Sequence, residues 1–183
     1  MTLRDGPHYY GTVSRVLHWT MAALFTWQFA GMLLKNVLGR GPVTAFWVGS
    51  HASIGTLLLV LLLVRACWAF VQMRQRPPYH EGLIGRLAAL GHFGLYGLMF
   101  IIPVMALLHM FGSGRGVRLF GVQLQPPGGE KVEWMMAPAN LLHGNLAWLL
   151  LALVAGHIAM VCVHRWLWRD DVLVRMAGRR VMS

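Results

Sequence analysis

The chain has 183 residues, 57% of them hydrophobic and 12% charged, with 16 basic against 6 acidic side chains and a formal net charge of +10. A soluble domain carries about 25% charged residues, so this composition excludes an ordinary water-soluble enzyme and points to a membrane protein. The basic excess is read below as membrane topology, and no nucleic-acid partner is expected.

The first apolar segment, residues 16–35, reaches the roughly 20 residues needed to cross about 30 Å of hydrocarbon. It is long for a signal-peptide core and no small-residue cleavage site follows, so it reads as a retained helix. Arg15 precedes it and His18 lies about one turn in. The second span, 46–71, carries His51 about one turn from its start and Arg65 near its far end. The connection "RQRPPYHEG" (74–82) is a sharp one, because two prolines cannot continue the preceding helix. The third span, 87–111, has His92 near one end and His109 near the other, where interfacial hydrogen bonding is the plain role for each. Pro103 predicts a kink within it. Residues 112–140 form the longest connection, rich in Gly and Pro, expected to fold over the mouth of the bundle. The fourth span, 141–168, contains His143, His157 and His164. The expected fold is therefore all-α: one transmembrane four-helix bundle, 1–183, in contact with membrane lipid.

None of the six acids, Asp5, Glu81, Glu130, Glu133, Asp170 and Asp171, falls within the expected spans proper, which weakens a proton-coupled transporter reading. Asp170 and Asp171 follow the fourth span directly. Basic residues near the span ends set the orientation. The N-terminal, 72–86 and C-terminal segments hold Arg4, Arg15, Arg74, Arg76, Arg86, Arg165, Arg169, Arg175, Arg179 and Arg180; the other side holds Lys35, Arg40, Arg115, Arg118 and Lys131. That imbalance places both termini in the cytoplasm. Cys67 and Cys162 sit within spans two and four as small packing thiols, and no C-x-x-C-H occurs, so covalent c-type haem attachment is excluded.

The histidines carry the chemistry. Steps of 14 and 7 residues return to within about 40° and 20° on a helix, so His143, His157 and His164 share one stripe. His157 lies roughly 21 Å along the axis from His143. Depth then matches His157 with His18 on the inner side and His143 with His51 on the outer. Two imidazoles facing one another suit the axial positions of an iron porphyrin, and four-helix bundles commonly house such groups. Two haem groups are expected, with these four residues as iron ligands. Zinc or copper fits less well, because neither pair has a third or fourth ligand at its depth. Arg65 is costly in lipid unless it snorkels or meets an anion, a haem propionate or a lipid phosphate, and Arg15 has the same choice. His164, roughly 10 Å beyond His157 on the same face, is placed to give a proton or hydrogen bond to a quinone carbonyl.

"SRVLHW", "WVGSHASIGTLLLVLLLVR", "LGHFGLYGLMFIIPV" and "LLHGNLAWLLLALVAGH" followed by "HRWLWRDDVLVRM" resemble the bacterial cytochrome b561 family of di-haem membrane proteins. The resemblance covers nearly the whole chain. It implies two b-type haems held at the positions of His18, His51, His143 and His157. It further implies superoxide:ubiquinone oxidoreductase activity, with superoxide as donor outside, ubiquinone as acceptor inside, and His164 at the quinone. The outer connections carry Lys35, Arg40, Arg115, Arg118 and Lys131 against Glu130 and Glu133, a field that would steer an anion. The alternative is a cytochrome b relay between quinone and a dehydrogenase or periplasmic redox partner; a haem-free structural bundle is the third reading.

Overall fold

The computed structural model describes residues 2–77 and 82–178. The middle of the "RQRPPYHEG" connection, and Arg179 and Arg180 of the charge count, lie outside those residues. The chain is mostly helical, in the order α1 (Thr12–Leu38), α2 (Pro42–Val71), α3 (Gly82–Gly112), a hairpin of β1 (Val117–Leu119) and β2 (Val122–Gln125), α4 (Glu133–Cys162), a π-helical turn (Val163–Trp168) and α5 (Val172–Ala177). Three helices are long and apolar enough to cross a membrane among the described residues: α2, α3, and α4 continued through the π turn, with mean hydropathies of 2.3, 1.9 and 2.4. α1 has comparable length, 27 residues. Its His18, Thr20, Thr26 and Gln28 lower its hydropathy relative to the other three.

Each long helix starts ahead of the apolar run that marks it in sequence. α2 opens on Pro42, a residue whose fixed φ and missing N–H suit the first helical position. Thr44 sits in the first turn, its hydroxyl accepting from the Gly41 N–H at 2.9 Å. α4 opens on Glu133, an acid at the positive end of the helix dipole, and runs through Pro138 well before the apolar stretch begins.

The described residues form two compact units, one of Met1–Ala22, Leu61–Tyr96 and Ala152–Ser183, the other of Ala23–Val60 and Gly97–Leu151. Each of the four long helices contributes a segment to each unit. The first unit packs on Met21, Leu62 and Leu95, the second on Leu58, Leu59, Ile102, Met105 and Leu150. Large apolar side chains elsewhere, including Phe70, Phe93 and Leu141, stand more than 70% exposed, as they would in contact with lipid tails rather than water. Cys67 is exposed and Cys162 half-buried, so Cys67 is not the interior packing thiol that its place in the span suggests.

The hairpin lies in the segment to which sequence analysis gave no regular structure. β1 and β2 pair antiparallel, Leu119 opposite Val122, around a two-residue turn. Both turn residues have positive φ, Phe120 at 51° and Gly121 at 82°, the geometry that matches the twist of two-residue hairpins. The alternation in "VRLFGVQLQ" is a strand signal. Phe at the first turn position, where Asn or Asp is usual, hides it. Val117 and Leu119 are buried, and the Phe120 N–H donates to Ser53 Oγ at 2.9 Å, fastening the turn to α2.

Candidate haem and quinone sites

In the first unit, α1 supplies His18 and α4 supplies His157, with ring centres 6.4 Å apart and planes inclined by 69°. Trp19 stands edge-on to His18 at 5.2 Å and donates its indole N–H to the Met176 carbonyl at 3.3 Å. A third histidine, His92 of α3, lies 5.3 Å from the His157 ring, and its Nδ1 donates to the Ala88 carbonyl at 2.7 Å. Sequence analysis left His92 open between an interfacial and a functional role. Both residues belong to the first unit.

In the second unit, α2 supplies His51 and α4 supplies His143, with ring centres 6.1 Å apart and the same 69° between planes. The His51 carbonyl accepts from Gln28 Nε2 at 2.9 Å, which ties α1 to α2 beside the ring. Among the described residues, the Nδ1 atoms of both His51 and His143 are buried without a hydrogen-bond partner. Buried polar atoms rarely remain unpaired, and such orphans mark places where a bound group completes the site.

Both separations suit a shared metal. Two imidazoles bound to one ion through bonds of about 2.0–2.1 Å place their ring centres about 6.3 Å apart. Among the described residues no group of three or more His, Cys, Asp or Glu side chains is arranged to hold an ion by itself. Two nitrogens without further protein ligands fit an iron whose other positions are filled by a porphyrin.

Arg65 is held by neutral oxygens of its own unit: Nε donates to the Tyr96 hydroxyl at 2.8 Å and Nη1 to the Ser14 carbonyl at 3.2 Å. Arg15 donates to Thr12 Oγ1 at 3.4 Å. Ser14 is a junction. Its Oγ donates to Asp5 Oδ2 at 2.9 Å and accepts from Trp68 Nε1 at 3.0 Å. The Asp5 carboxylate, whose side chain is fully buried, also accepts from the Gly11 N–H at 2.8 Å and from Arg76 Nε at 2.9 Å. Gly11 has no room for a Cβ, which would run into the Arg4 backbone. This network joins α1 to the end of α2.

His164 is buried, in the π-helical turn, with its Nδ1 2.6 Å from Asp170 Oδ2 and the Trp168 ring edge-on at 4.7 Å. The chain reverses at Arg169, in the left-handed conformation at φ 54°, and the Arg169 and Asp170 amides both donate to the His164 carbonyl. That reversal carries Asp170 back to the ring. The other Asp170 oxygen accepts from the Val172 N–H at 3.1 Å, at the start of α5.

Lys35 and Arg40 line a pocket of about 270 Å³ with Gly41, Thr44, Ala45 and Val48. These residues, with Arg115, Arg118 and Lys131, belong to the unit that contains His51 and His143.

Apolar helices carrying facing histidine pairs define a helical membrane protein of the cytochrome class. The chain belongs to the prokaryotic cytochrome b561 family, which it matches over residues 9–179. It is 29% identical to cytochrome b561 homolog 2 of Escherichia coli K12, over 98% of this chain and 96% of that protein. It is 23% identical to the probable superoxide oxidase CybB of Yersinia pestis, over 90% and 93%, and 24% identical to cytochrome b561 homolog 1 of E. coli K12, over 90% and 94%. With membership come b-type haem, electron transfer and residence in a bacterial membrane.

Proposed function

We propose that this protein is a four-span, di-haem cytochrome b of the bacterial inner membrane, with both termini in the cytoplasm, that oxidises superoxide outside and reduces ubiquinone inside. His18 with His157 and His51 with His143 would each hold one haem iron. The observation that carries this reading is the near-equal 6.4 and 6.1 Å separation of the two ring pairs, each with one member from α4. Haem held between two imidazoles would supply outer-sphere, one-electron transfer in preference to oxygen activation.

The chain's own residues set what reaches that chemistry. The α2 segment holds His51 in place through the bond from Gln28 to its carbonyl. The five outer basic residues raise the local concentration of a small anion, an effect that falls with ionic strength. Two superoxide anions give one electron each and leave as dioxygen; one quinone takes those two electrons and two protons and leaves as quinol. His164 supplies a proton at the quinone oxygen. Arg65, engaged by Tyr96 and Ser14, holds α1, α2 and α3 segments together within its unit, and an approaching haem propionate would find its guanidinium already oriented.

The name of the Yersinia relative supports the superoxide reading. The more similar E. coli relative is named for the cytochrome alone, which favours keeping the relay reading, an electron carrier between quinone and a redox partner. Purified protein mixed with generated superoxide in the presence of a short-chain ubiquinone separates the two. Haem reduction faster than spontaneous dismutation, with quinol accumulating, is expected; no reduction above the uncatalysed rate leaves the relay.

A further inference from the structure

We propose that Asp170 is a positioning residue that fixes the tautomer of His164 and makes it a proton donor to bound quinone. The proposal rests on the reading of His164 as the quinone-side residue. It adds what that reading lacks, a reason why this imidazole would work as an acid.

The geometry is specific. His164 Nδ1 lies 2.6 Å from Asp170 Oδ2, within the range of a charge-assisted hydrogen bond. The ring is buried, and Trp168 bounds it edge-on, so its rotamer is restricted. Asp170 is itself held: its second oxygen accepts the Val172 N–H, and its backbone N–H returns to the His164 carbonyl. An α-helical continuation would carry residue 170 on past the ring. The π turn and the left-handed Arg169 bring it back. Two departures from regular helix thus converge on one contact.

A carboxylate on Nδ1–H orients an imidazole, commits Nε2 to the proton exchange, and stabilises the imidazolium. The Nε2–H bond breaks as the quinone oxygen gains its proton, the electrons arriving from superoxide by way of the haems. The neutral imidazole then recovers a proton from cytoplasmic water, while Asp170 remains a carboxylate throughout. The same segment reaches the inner histidine pair: Met176 of α5 accepts from Trp19, whose ring abuts His18.

The test uses the full haem-loaded chain in detergent, reduced with dithionite and mixed with a short-chain ubiquinone in a stopped-flow instrument. Asp170→Asn retains an oxygen for the Val172 amide while removing the charge. Its saturating oxidation rate is expected to fall about 10-fold or more, with half-saturating quinone and haem content within about twofold of the parent, and Asp170→Glu is expected to recover much of the loss. In 15N-histidine-labelled protein, the downfield Nδ1–H resonance of His164 is expected in the parent and in Asp170→Glu, and not in Asp170→Asn. A parental rate in Asp170→Asn beside a slow His164→Ala overturns the role of Asp170 alone. A parental rate in His164→Ala overturns the quinone reading beneath it. Loss of haem in Asp170→Asn with no recovery in Asp170→Glu assigns Asp170 to folding and also overturns the proposal.

Discussion

The two units hold histidine pairs of nearly the same geometry in different surroundings. Around His18 and His157 the unit is polar: His92 lies against His157, Arg65 is bound by Tyr96 and Ser14, and Asp5 gathers Gly11, Ser14 and Arg76. Around His51 and His143, among the described residues, the Nδ1 atoms have no hydrogen-bond partner, with Gln28, Lys35 and His109 among the polar groups nearby. Similar ring spacing supports similar ligation. With a haem at each pair, as proposed, the different polarity would give different reduction potentials and different access to protons, because hydrogen bonding and burial tune a haem as much as its ligands do. In the proposed reaction, the unit with His164 and Asp170 would serve the step that consumes protons. The other, with its basic loops, would meet the anion.

Four perturbations break or sharpen this contrast. Asp5→Ala leaves Arg76 and the Ser14 hydroxyl without their buried carboxylate, and should cost about 3 kcal/mol. Thermal unfolding followed by circular dichroism in detergent should show the loss, with the His18/His157 haem released first. His164→Ala should slow quinone reduction by about 10- to 100-fold with haem content unchanged, measured by stopped-flow oxidation of the reduced protein. Lys35→Gln with Arg40→Gln should lower the rate of reduction by superoxide about 10-fold at low salt and leave quinone kinetics alone. The loss should shrink as salt is raised. Ser53→Ala removes one hydrogen bond from the hairpin turn and should cost about 1 kcal/mol, visible as faster amide exchange at Phe120.

How much of this was legible in the sequence depends on how local the signal is. The meeting of His18 with His157 and of His51 with His143 was legible, because 3.6-residue periodicity and the thickness of a bilayer fix both face and depth. The hairpin carried a signal in its alternation, masked by Phe120 at the turn. The π turn at Val163–Trp168 has no separate pattern: its apolar residues extend the α4 periodicity unbroken. The link from Asp5 to Arg76 spans 71 positions, and nothing in either segment names the other. Asp170 was counted as a flanking charge, since an α-helix would not return it to His164. The Tyr96 hydroxyl and the Ser14 carbonyl that hold Arg65 belong to other elements, out of reach of any pattern within α2.

The central claim is that each facing histidine pair grips one haem. Pyridine haemochrome quantitation on the purified single variants His18→Ala, His51→Ala, His143→Ala and His157→Ala tests it most directly. The account predicts two haems per chain in the parent and one in each variant, with His18→Ala and His157→Ala leaving one common reduced spectrum and His51→Ala and His143→Ala leaving another. Two haems retained in any of the four, or a single haem in the parent, would contradict it.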